Sequence, residues 1–96
     1  MKVIWKFGFE IEDRVWFRMP EGAQFLTIQM QEGQPVLWAL VDTDRDVVKR
    51  HMLLCGTGHD ASEVGRYIAT FQMHDGQLAF HAFEDPTDFI AGPLTS

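Results

Sequence analysis

The chain has 96 residues, with fourteen acids against eight bases and a formal charge of −6. About 100 residues bury enough surface for one core and not two, so one domain is expected. Hydrophobic residues at 46% and charged residues at 23% exclude disorder and fibrous repeats, and the negative balance argues against bulk nucleic-acid or membrane-surface binding while leaving room for a local basic patch.

Period-two alternation runs through most of the chain and predicts strands. In Lys2 to Phe9, Val3, Trp5, Phe7 and Phe9 share a face opposite Lys2 and Lys6. In Arg14 to Met19, Val15, Phe17 and Met19 oppose Arg14, Trp16 and Arg18. Pro20-Glu21-Gly22 breaks the chain. Gln24 to Gln31 sets Leu26, Ile28 and Met30 against Thr27, Gln29 and Gln31, and Glu32 to Pro35 has the length of a hairpin turn. Pro35 to Thr43 is apolar on both faces, which predicts a central strand covered twice.

Asp42 to Asp46 is a polar turn, and Val47 to Cys55 returns as a strand. Asp60-Ala61-Ser62-Glu63 has capping-box spacing and leaves room for one short helical turn. Val64 to Met73 is a strand with Tyr67, Ala69, Phe71 and Met73 on one face. The Asp75-Gly76 dipeptide then predicts a hairpin into Leu78 to Glu84. Residues 1–84 form the expected β domain, and 85–96, with two prolines, an irregular tail. The fold class is all-β: a small antiparallel sandwich or barrel of about seven strands, mostly a meander.

Cys55 is the one cysteine, so no internal disulfide is expected and a reducing, cytoplasmic setting fits. The first residues lack the apolar core of a signal peptide, and no window approaches the ~18 apolar residues of a membrane span.

Gly56-Thr57-Gly58-His59 is the most informative segment. Paired glycines permit positive φ, successive amides can form an anion nest, and His59 adds a donor or acceptor. Lys49, Arg50 and Arg66 flank it and supply positive charge, so the expected ligand-binding set is Arg50, Gly56, Thr57, Gly58, His59 and Arg66. The bland alternative is a tight turn with a satisfied histidine. No third glycine or following helix completes a dinucleotide fingerprint.

Other chemistry finds less support. Asp42-x-Asp44-x-Asp46 lacks the glycine and glutamate of a calcium loop. His51, His59, His74 and His81 show no zinc spacing, and Cys55 reads as an inert buried thiol. Neither a metal, a cofactor nor a catalytic residue is assigned. Trp16 between Arg14 and Arg18 has the composition of an interface hot spot, the alternative being a tryptophan covered by the tail or a second sheet.

The chain to Glu84 resembles a family of small uncharacterised phage, prophage and bacterial proteins. The resemblance rests on Met19-Pro20-Glu21-Gly22-Ala23, Leu37-Trp38-Ala39-Leu40-Val41-Asp42, Gly56-Thr57-Gly58-His59 and Phe80-His81-Ala82-Phe83-Glu84. Thr43 and Asp60 stand where that pattern often has proline. It implies a phage or prophage source and no activity. The first expectation is therefore a non-enzymatic binding protein acting on a host component, such as a counter-defence factor. Alternatives are an oligomeric sponge for a small phosphorylated ligand at Gly56–His59, and a virion accessory protein. Homo-oligomerisation is expected because an open sheet leaves edges to pair.

Overall fold

The computed structural model describes residues 1–89. The expected tail beyond them lies outside the described residues. Seven strands form: β1 (Lys2–Gly8), β2 (Arg14–Pro20), β3 (Gln24–Gln31), β4 (Gln34–Asp42), β5 (Val47–Gly56), β6 (Tyr67–Met73) and β7 (Leu78–Glu84). A 3-10 turn, Pro86–Phe89, follows. The sheets are β1-β4-β3 and β2-β5-β7-β6, with every pairing antiparallel. This is the expected antiparallel sandwich of seven strands, but the chain changes sheet after β1, β2 and β4, so its order is not mostly a meander. Each strand carries one apolar face, and only two sheets pressed together bury them all.

The core explains the aromatic content. Phe17 of β2 meets Phe7 at 5.7 Å, Phe9 at 6.0 Å and Phe25 at 6.2 Å, each edge to face. Phe9 in turn meets Phe71, which meets Phe80. Such pairs add to their area burial because ring edges and faces carry opposite partial charge. Met19, Leu37, Val41 and Met52 fill the layer between.

Three local readings are corrected. A register shift between Phe25 and Thr27 sends Phe25 and Ile28 inward and leaves Leu26 exposed. A second shift, between Tyr67 and Ala69, keeps Ala69 and Phe71 in the core but turns Tyr67 outward against Phe83. A bulge inserts one residue, which breaks strict alternation at that point. Third, β4 is central, but the second sheet covers only its Leu37, Ala39 and Val41 face. On its outer face Trp38 stays half-buried, with the Lys6 ammonium 5.9 Å from its ring centre.

Both hairpins follow their turn chemistry. Glu32-Gly33 (φ 52° and 81°) hold the left-handed backbone that a two-residue turn needs, and in the four-residue connection from β6 to β7 His74, Asp75 and Gly76 (φ 56°, 56° and 87°) are left-handed too. The helical turn expected at Asp60–Glu63 is not helical. Asp60 Oδ1 accepts the Ser62 amide, a local bond that competes with helix. Gly65 then passes so close to β7 that a Cβ would lie 2.6 Å from the Glu84 carbonyl oxygen.

Buried charge joins the sheets at one edge. β3 pairs only with β4, so carbonyls on its other edge need partners. Arg50 Nη1 donates to Ala23 O (2.9 Å), and Arg66 Nη2 donates to Phe25 O (2.8 Å). Glu84 lies between the two guanidiniums, 3.4 Å from Arg50 Nη2 and 2.8 Å from Arg66 Nε. Arg50 also stacks on Phe25, 4.5 Å from the ring centre.

Candidate functional site

The expected ligand set separates into two places. Arg50 and Arg66 meet on Glu84, at the edge between the sheets. The Gly56–His59 loop leaves the far end of β5, roughly 20 Å away for six extended residues. A cleft of about 650 Å³ at the arginines is lined by Arg45, Lys49, Arg50 and Arg66 together with Glu21, Glu84 and Asp88. A second, of about 570 Å³, lies beside His59, Cys55 and Ile11 and carries Glu12, Asp13, Asp60 and Glu63 with no lysine or arginine.

The loop itself is tightly built. Gly58 has φ 88°, and the His59 amide donates to Gly56 O at 3.0 Å. At Gly56 a Cβ would meet the His59 ring at 3.0 Å. Thr57 Oγ1 lies 2.7 Å from His81 Nε2, and His81 Nδ1 lies 2.9 Å from Thr70 Oγ1. Tyr67 continues this chain, its hydroxyl 2.8 Å from Thr70 Oγ1. In a neutral imidazole one nitrogen donates and the other accepts, so the chain has a direction. The Ser62 hydroxyl and amide hold the Asp60 carboxyl below its ordinary value.

A third surface gathers the Trp16 group. Val15, Phe17 and Met19 of β2 face the core, which turns Arg14, Trp16 and Arg18 outward. Register then sets Trp16 opposite His51, Arg14 opposite Leu53 and Arg18 opposite Lys49. Leu53 sits opposite Phe83, and Phe83 opposite Tyr67. One row therefore crosses all four strands: Arg14, Leu53, Phe83, Tyr67. Trp16 and Tyr67 are 51% and 52% exposed. Lys49 Nζ lies 4.5 Å from the Trp16 ring centre, a cation–π contact.

No carboxylate stands among the outward residues of these strands. The nearest two are buried in pairs at the 3-10 turn. Asp85 Oδ2 accepts from Arg14 Nε at 2.6 Å, and Asp88 accepts the His51 amide at 2.5 Å and lies 2.8 Å from His51 Nδ1. Burial opposes ionisation of Asp85, but the Thr87 hydroxyl and amide and Arg14 outweigh it and lower its pKa.

Sequence reasoning set Trp16 with Arg14 and Arg18 opposite Val15 and Phe17, but put Tyr67 on one face with Ala69 and Phe71 and left out Phe83, Leu53 and the His81 chain. The outward alternation Lys49-His51-Leu53-Cys55 was the available signal for Leu53. Nothing local announced the bulge that moves Tyr67.

The fold and these surfaces define a small two-sheet β-sandwich in which no strand residue on one outer face is acidic. Residues 1–91 match the family model described as a domain of unknown function, DUF7352, and the chain belongs to that family. Neither the curated proteins nor the solved structures contain a match. Among the described residues no helix is long and apolar enough to cross a membrane, and no three His, Cys, Asp or Glu side chains gather as metal ligands would.

Proposed function

We propose that this is a non-enzymatic binding protein of phage or prophage type that engages a host component, as a counter-defence factor in the host cytoplasm. The contact surface is the outer face of β2-β5-β7-β6. One observation carries the reading: Trp16, Tyr67, Arg14 and Arg18 share that face, and no outward side chain of its four strands is a carboxylate although the chain has fourteen acids. Tryptophan, tyrosine and arginine dominate binding hot spots because they bury much area and still hydrogen-bond. Affinity capture from host lysate should return one specific partner. Capture that returns none contradicts the proposal.

A small-ligand reading is favoured by a different observation, the four cations around the 650 Å³ cleft at Arg50 and Arg66. It moves the phosphorylated ligand from the Gly56–His59 loop, whose neighbouring cleft is acidic, to the arginines. A ligand at 100 times its Kd adds about 2.7 kcal/mol of stability. A thermal-shift panel of cyclic and linear nucleotides tests this, and flat curves contradict it. Self-association belongs to either reading. Among the described residues β1 pairs on one side only and shows Ile4 and Trp5 to solvent, so light scattering should give a mass above 11.0 kDa.

A further inference from the structure

We infer that the partner's contact surface is an acidic segment of a protein, with an apolar or aromatic anchor between its carboxylates. This rests on the proposed binding face and names what that face takes.

The first ground is a pair that costs stability where it stands. Arg18 and Lys49 are directly opposite on β2 and β5, and like charges in that position repel. No acid on the face relieves them. Lys49 lies over the Trp16 ring, and neither Arg18 nor Lys49 has a carboxylate within ion-pair distance among the described residues. Both charges are presented outward on adjacent strands.

The second ground is the arrangement around them. Leu53, Phe83 and Tyr67 make an apolar strip across the sheet, with Trp16 and the cations along one flank. The His81, Thr70 and Thr57 groups lie along the other. An anchor set on the strip brings its neighbouring carboxylates to Arg18 and Lys49, where charge-assisted bonds form. The acidic turns at Glu10–Asp13 and Asp42–Asp46 carry negative charge elsewhere on the molecule. They disfavour an acidic partner where it approaches those turns, which helps the field orient the encounter. A polyanion extending beyond the face meets that same repulsion, which favours a protein segment over a nucleic-acid strand.

Photo-crosslinking in host cells tests this. p-Benzoylphenylalanine replaces Tyr67 on the face and, in a separate variant, Ile4 on the opposite sheet. The expected result is one protein adduct from position 67 only, its crosslinked peptide rich in Asp and Glu. Combining Arg18→Glu with Lys49→Glu should cut that adduct by about tenfold, and Arg18→Gln with Lys49→Gln by less, as expected when a rim charge is removed rather than reversed. A position-67 peptide without carboxylates, or a nuclease-sensitive adduct, overturns the inference and leaves the binding face standing. Adducts from position 4 alone, or none, overturn the binding face as well.

Discussion

Removing the Arg50 side chain takes a partner from several groups at once. The Ala23 carbonyl loses its donor, Glu84 keeps Arg66, Asp88 loses a guanidinium nitrogen 3.5 Å away, and Phe25 loses the plane stacked on it. Breaking a buried ion pair from one side strands a charge, and Arg50→Ala should cost about 3–5 kcal/mol. Urea unfolding measures this, and a loss near zero would show that the arginine is not part of the frame. The sequence reading took Arg50 as a ligand-binding cation, whereas it lies with Met52 and Leu54 on the core face of β5, ion-paired with Glu84. The alternation of β5 could have signalled that position. The partners of Arg50 were not legible, because Ala23 lies 27 residues away and Glu84 lies 34. Asp85 gives a second residue-scale outcome. Its folded pKa is lowered, so its contribution is complete above the unfolded carboxylate value near 4 and fades as pH falls through the folded value. Acid titration of stability should therefore be shallower in Asp85→Asn; an unchanged slope would contradict the pairing with Arg14 and Thr87.

Between the strands, close approach matters more than propensity. Gly65 donates to Glu84 O at 2.9 Å, and any Cβ there meets that same backbone oxygen. Gly65→Ala should destabilise by about 1–3 kcal/mol, since backbone on both sides must shift. Gly33→Ala offers a contrast: nothing crowds its Cβ, and only the φ of 81° opposes the side chain. Thermal melts of the two variants separate the causes, and equal losses would contradict the close approach. Strand existence was legible because period-two patterning or a two-faced apolar run, bounded by turn residues, marks each element. The two bulges were not. Tyr67 and Leu26 occupy positions whose side depends on one extra residue, and no residue type marks it. Chain order across the sheets was hidden for a similar reason. Asp42–Asp46 reads as a polar turn, and nothing in it tells that it carries the chain from β4 to β5 in the other sheet.

Over the whole molecule, charge is segregated. The acids of this −6 chain gather in turns, as the sequence indicates, and in the paired edge cluster, and on the outer face of β2-β5-β7-β6 no outward strand side chain is acidic. That face unites the sequence-visible Trp16, Arg14 and Arg18 with Tyr67, Leu53 and Phe83, which the bulge and the β5–β7–β6 register bring alongside. Family membership adds no activity, so the function rests on this surface. Its direct test is a matched pair of truncations on opposite faces. Trp16 is 51% exposed and Ile4 is 58%, so neither substitution disturbs the core. Once a partner is in hand, its affinity should be measured for Trp16→Ala and Ile4→Ala. The account predicts about a 30-fold loss or more for Trp16→Ala, the 2 kcal/mol of a hot spot, and no change for Ile4→Ala. Equal affinities in the two variants, or a loss confined to Ile4→Ala, would contradict it.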